Sequence, residues 1–236
     1  MASAEPDLTW QPLYRIGGVA GLVFVGMVLV PVVLVVVAPL PPAEGRALLE
    51  FIAANRVLYL TQLVSFVGLS VPAMVTFAAA AVALSSANKS LAALGGLFGV
   101  SSETVALAVG SSPQSLHGGL VLLSDGYAAA GTDAERAGLA SAADALIAAT
   151  NAMPWAGILT AGAILVLSLT MRRGLFGRTL AVVGVVTGTL GVLSEALRPL
   201  IGAGYFLYGL LLPLWVGWVG WELLRLGRPP RQPRQA

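Results

Sequence analysis

Cysteine is absent from this chain, and histidine occurs once, at His117. Disulfides, thiol catalysis and thiolate metal sites are therefore excluded, and a histidine-built metal centre within one chain is nearly so. Charge is scarce as well. Only 10% of residues are Asp, Glu, Lys or Arg, where a soluble domain carries about 25%. A phosphate-binding Walker loop needs a lysine after its glycines, and no such run occurs; HExxH and GxSxG patterns are missing too. The sequence thus offers no catalytic constellation, and neither a cofactor nor a nucleic-acid partner is expected.

What is plentiful is oil. The chain of 236 residues is 57% hydrophobic, with a mean hydropathy of +0.87. That much apolar surface cannot all be buried in a water-soluble fold of this size, so lipid must solvate most of it. The 28 glycines and 14 prolines sit inside apolar runs, where membrane helices tolerate them. A hydrocarbon core about 30 Å thick takes about 20 residues of helix, and lipid cannot satisfy a free backbone amide, so each crossing must be helical. Six stretches qualify: residues 16–38, 57–84, 91–109, 153–171, 179–197 and 203–224. The first is too long for a signal-peptide core, and no small-residue cleavage pattern follows it; it is read as retained. The expected fold is all-α, a polytopic bundle of six transmembrane helices over residues 16–225. A short segment (1–15) precedes it, and a basic, proline-rich tail (226–236) follows.

The basic residues orient the bundle. With the N-terminus cytoplasmic, nine of the 13 Lys and Arg fall on the inner side. The four outside are Arg46, Arg56, Arg136 and Arg198. Both termini are expected inside. Trp10, Tyr14, Tyr59, Trp155, Tyr205, Tyr208, Trp218 and Trp221 lie near span ends and read as an interfacial belt.

The outer segments have helical signals of their own. Pro41-Pro42 suits a first helical turn, and Leu48, Leu49, Ile52 and Ala53 form an apolar stripe that should run directly into the second span. Thr132 and Glu135 have capping-box spacing, and the helix they start should feed the fourth span, with Pro154 at the junction. The second and fourth helices are thus expected to extend on the outer side. "LHGGLVLLS", at residues 116–124, is too short to cross and reads as a re-entrant or surface-lying segment. Gly17-xxx-Gly21, Gly95-xxx-Gly99 and Gly184-xxx-Gly188 let backbones approach closely. Such pairs serve equally within a bundle or as the seam of a homodimer.

"LSDGYAAAGTDAERAGLASAADALIAA", "MRRGLFGRTLAVVGVVTGTLGVL", "YRIGGVAG" and "WELLRLGRPP" together resemble a family of small bacterial six-helix membrane proteins, the domain-of-unknown-function family of the 4386 type. The layout matches over nearly the whole chain. The resemblance implies an uncharacterised multi-pass protein of the bacterial cytoplasmic (inner) membrane and assigns no catalytic or binding residue.

Three charged residues stand out as ligand or proton candidates. Glu103 lies 14 residues past Lys89, about 21 Å along a helix, within the outer half of the hydrocarbon and flanked by Ser101, Ser102 and Thr104. An intramembrane carboxylate is costly and by default a functional candidate; a structural glutamate locking helices is the competing reading, with Arg198 as its partner. Glu195 and Arg198 are three apart, a spacing that lets them pair on one helix face, and Pro199 follows. This pair reads first as the mark of the membrane boundary and second as a site at the outer mouth. His117 in "HGGL" reads as an interfacial loop residue, and the tail arginines as topology determinants. Two functions stay open: a non-enzymatic sensor, accessory or regulatory subunit working through its outer helices on a membrane-protein partner, or a small transporter or binder of an apolar or weakly charged ligand with Glu103 as its proton or cation site.

Overall fold

In the computed structural model the chain is all-helical, and the structure describes residues 7–110, 116–152, 155–172, 175–197, 200 and 205–228. After a 3-10 turn at Leu8–Trp10 the helices are α1 (Gln11–Val37), α2 (Gly45–Ala54), α3 (Arg56–Val67), α4 (Ser70–Leu84), α5 (Lys89–Val109), α6 (Gly118–Ala129), α7 (Asp133–Ala152), α8 (Trp155–Met171), α9 (Arg178–Ala196) and α10 (Tyr205–Leu226). Six helical segments are long and apolar enough to cross a membrane, which makes this a multi-pass membrane protein in contact with the lipid bilayer. The fourth of these segments, Asp133–Met171, takes in α7 as well as α8, and α2 and α6 lie outside all six. Helices α2 and α6 are 10 and 12 residues long, too short to cross. Helix α7 carries Asp133, Glu135, Arg136 and Asp144, each of which would cost about 2.5–3.5 kcal/mol at a helix centre in the bilayer.

The second crossing departs from expectation. Residues 57–84 are not one helix but α3 and α4, interrupted at Gly68 and Leu69. Pro72 explains the break: it has no N–H to offer Gly68, and its ring crowds the carbonyl four residues back. The Gly68 carbonyl instead accepts from the Val71 amide at 3.2 Å. Helix α2 does not run straight on either. Asn55, at φ −128° and ψ 41°, separates it from α3. Its first turn starts at Gly45 rather than at the Pro41-Pro42 pair, with Glu44 as N-cap. The junction of α7 and α8 at Met153 and Pro154 lies outside the described residues.

The chain divides into two compact units. One comprises the chain up to Val25, Pro72–Ser101 and everything from Gly157 onward. Here the helices meet through glycine. A methyl built at Gly21 of α1 would stand 2.9 Å from the Cα of Gly220 in α10, and one at Gly17 would collide with the Ala79 Cβ of α4. Thr76 donates its hydroxyl to the Gly17 carbonyl across the same crossing at 3.2 Å. Gly95 and Gly99 of α5 seat Leu167 and Phe77, and Gly184 and Gly188 of α9 seat Ser168, Leu165 and the α8 backbone. All three glycine pairs are thus used within the chain. Trp215 is fully buried and donates to Ser168 Oγ at 3.1 Å.

The other unit comprises Gly26–Val71 and Ser102–Ala156. Helices α2, α6 and α7 pack on one another around Leu48, Leu49, Ile52, Leu120, Ala143 and Ile147. The 116–124 stretch is therefore a structured part of this cluster, with α6 beginning at Gly118.

Candidate functional site

The α2–α6–α7 cluster combines an apolar interior with polar ties between its helices. Glu135 and Thr132 start α7 by reciprocal capping: Thr132 N donates to Glu135 Oε2 and Glu135 N to Thr132 Oγ1, both at 3.2 Å. Asp144 of α7 reaches the start of α2, where its carboxylate accepts from the Gly45 amide at 2.6 Å. That negative charge sits where the helix presents free N–H groups. Gly45 permits the approach, since a methyl there would stand 2.5 Å from the Ala140 carbonyl oxygen. Ser124 of α6 donates to the Leu49 carbonyl at 2.8 Å. Arg46 donates to the Tyr127 hydroxyl, which donates to Glu50, each at 3.0 Å. The Tyr127 hydrogen bond, with the nearby carboxylates, pushes the Arg46 guanidinium further up. Arg56 binds Asp125 through both guanidinium nitrogens, the second at 3.1 Å. That pairing holds the Asp125 carboxyl below its ordinary value.

His117 has a defined structural role. Its Nδ1 accepts from the Gly119 amide at 2.9 Å, capping α6. Because Nδ1 is an acceptor, the ring proton sits on Nε2, which faces the Ala108 carbonyl at 3.3 Å. Tyr59 completes the corner: its hydroxyl donates to the His117 carbonyl and accepts from the His117 amide, at 3.2 and 3.1 Å.

Glu103 lies in α5 and is buried, 8% exposed. Ser102, fully buried, donates its hydroxyl to Glu103 Oε1 at 3.4 Å. The same unit buries Gln62 of α3, 4% exposed, and its Oε1 has no hydrogen-bond partner among the described residues. The sequence reading passed over Gln62; a lone amide within an apolar run was the signal that could have found it. Glu195 is buried too, 3% exposed, with its carboxylate against Gly157 in the first turn of α8. The side chain is turned into the protein, between α9 and α8. Arg198, its expected partner, lies outside the described residues. The aromatic belt also divides. Trp10, Trp155 and Trp221 are about half exposed, whereas Tyr14, Tyr59 and Tyr208 are buried, because each hydroxyphenyl side chain packs inside its own unit. Tyr205 lies among the side chains left undescribed.

Two shallow cavities stand out among the described residues. One, of about 400 Å³, is lined by Gly126, Ala129, Ala130, Glu135, Gly138 and Leu139. The other, of about 350 Å³, runs between α1 and α10. Neither is lined by Glu103, Gln62 or Glu195. Among the described residues no three His, Asp or Glu side chains gather as a metal site would require. In comparisons with protein-family models, curated proteins and solved structures, nothing matches this chain.

Proposed function

We propose that this chain is a non-enzymatic membrane protein, a sensor, accessory or regulatory subunit, in the bacterial cytoplasmic membrane that the family resemblance implies. Both termini lie in the cytoplasm, and α2, α6 and α7 work outside the bilayer on a membrane-protein partner. One observation carries the reading. Helices α2 and α6, too short to cross, and the charged α7 enclose a hydrophobic core together with Tyr59 of α3, and are tied by capping, tyrosine and arginine contacts, the last from Arg56 of α3. Anchoring in lipid needs no such module, whereas an ordered recognition surface does.

The transporter reading keeps one observation in its favour, the burial of Glu103 beside Ser102. The two readings order variants oppositely in a deletion strain. On the interaction reading, Leu49→Asp, which puts a charge into the three-helix core, abolishes complementation, and Glu103→Gln complements. Purified protein in liposomes then shows no proton-coupled flux. Loss of complementation by a normally folded Glu103→Gln variant, together with flux by the wild type, would replace this reading with the transporter.

A further inference from the structure

The groove between α1 and α10 is built from a different chemistry along its length. Leu22 and Val25 form one wall; Pro213, Leu214, Gly217 and Trp221 form the other. Gly217 is the floor, since a methyl built there would stand 2.8 Å from Val25 Cγ2. Leu22, Leu214 and Trp221 are 43%, 53% and 50% exposed, so the groove opens away from the protein. Pro213, Gly217 and Trp221 are spaced by four and therefore share one face of α10.

That face continues into cations. Arg225 follows Trp221 by four residues and Arg228 by seven, and the Arg228 guanidinium stands 5.9 Å from the Trp221 ring centroid. Arg15 of α1 joins the same end, its Nε donating to the Gly227 carbonyl at 2.6 Å. Glu222, 3.2 Å from Arg225, is the carboxylate among these three arginines. The groove is thus apolar, then aromatic, then basic, and this is the sequence of groups along a phospholipid read from acyl chain through glycerol to phosphate.

We propose that the α1–α10 groove binds one anionic phospholipid. Its acyl chain lies along Leu22, Val25 and Gly217, its glycerol level meets Trp221, and its phosphate is held by Arg225 and Arg228. The excess of cations selects this occupant. An apolar helix from a second copy would fill the groove and leave the basic end uncompensated, and a zwitterionic lipid would bring a cation of its own.

The test uses the full chain, stripped of lipid in detergent and titrated with phosphatidylglycerol or phosphatidylcholine of identical acyl chains, with retained lipid read by native mass spectrometry. One phosphatidylglycerol should be retained about thirtyfold more tightly than phosphatidylcholine, the ratio expected of two arginine contacts. R225Q/R228Q, at exposed positions, should melt as the wild type does and bring the two lipids level. Gly217→Leu should weaken retention of both lipids about tenfold by filling the floor. Should Gly217→Leu fail to fold, the arginine variant still decides. Equal retention of both lipids by the wild type would overturn the proposal. So would a phosphatidylglycerol preference that survives R225Q/R228Q, unchanged retention by a folded Gly217→Leu, or a dimer that forms in place of a lipid complex.

Discussion

In the unit that holds α8, α9 and α10, helices meet through glycine; in the unit that holds α2, α6 and α7, they meet through leucine and isoleucine. On the proposed placement, with α2, α6 and α7 outside the bilayer, the difference follows from what each surface would otherwise touch. Lipid tails are as apolar as leucine, so burying leucine against leucine gains little there, and close backbone approach with van der Waals contact does the work. In water the same leucines gain about 25 cal/mol for each Å² removed from solvent. Polar ties differ as well: Asp144 on the Gly45 amide joins α7 to α2, and the charged Arg56–Asp125 pair joins α3 to α6. In the glycine-packed unit the Trp215–Ser168 bond is a neutral contact buried between helices.

Substitutions should separate the two kinds of packing. The largest effect is expected for Leu49→Ala, which empties a fully buried position in the three-helix core. It should cost about 2–5 kcal/mol, read as a large fall in the unfolding midpoint of the α2–α6–α7 cluster. Gly188→Ala should follow, at about 1–3 kcal/mol. Its methyl would stand 2.6 Å from the Leu165 backbone nitrogen and 2.8 Å from the Ala161 carbonyl oxygen, atoms that cannot swing aside. Gly209→Ala, with nothing within 4 Å, is the matched control and should leave the melting temperature in detergent nearly unchanged. Asp144→Ala leaves the Glu44 N-cap but removes the acceptor of the Gly45 amide, and should cost about 1 kcal/mol, seen as faster amide exchange in the first turn of α2.

The smallest effect is expected from pH. Asp125 is held below its ordinary carboxyl range, first by its hydrogen bonds from Arg56. A depressed carboxyl contributes stability that is complete above the unfolded pKa and is lost as pH falls through the folded one. The Arg56–Asp125 contribution should therefore be intact above about pH 4 and vanish as pH falls below it. The pair is half exposed, so the loss should be slight. Asp125→Asn should flatten the stability of the cluster across that window when chemical denaturation is followed by circular dichroism.

The six crossings were legible because a 3.6-residue helix in lipid leaves a long apolar run as its trace, and the glycine pairs because small residues four apart have a direct packing consequence. The Thr132–Glu135 capping box was legible for the same local reason. What sequence spacing could not carry were the partners of residues far apart in the chain. Asp144 on the Gly45 amide, Arg56 reaching Asp125 and Tyr59 bracketing His117 connect positions that are neighbours only after folding. Counting residues along α5 gave Glu103 an expected depth in the bilayer, and the structure adds its burial in the protein. The burial of Glu195 was not legible, because it depends on Gly157 of another helix leaving room for the carboxylate. The break at Gly68 and Leu69 was written in Pro72, whose missing amide weighs most heavily where no water can replace the bond.

Amide hydrogen exchange of the intact protein in lipid nanodiscs tests the central claim, that α2, α6 and α7 form an ordered module in water rather than a set of lipid-covered segments. Their amides should be protected but exchange measurably, and Leu49→Ala should speed all three helices together while leaving the α8–α9 contact unchanged. Exchange of these helices within seconds in the wild type, or protection that Leu49→Ala leaves untouched, would contradict it.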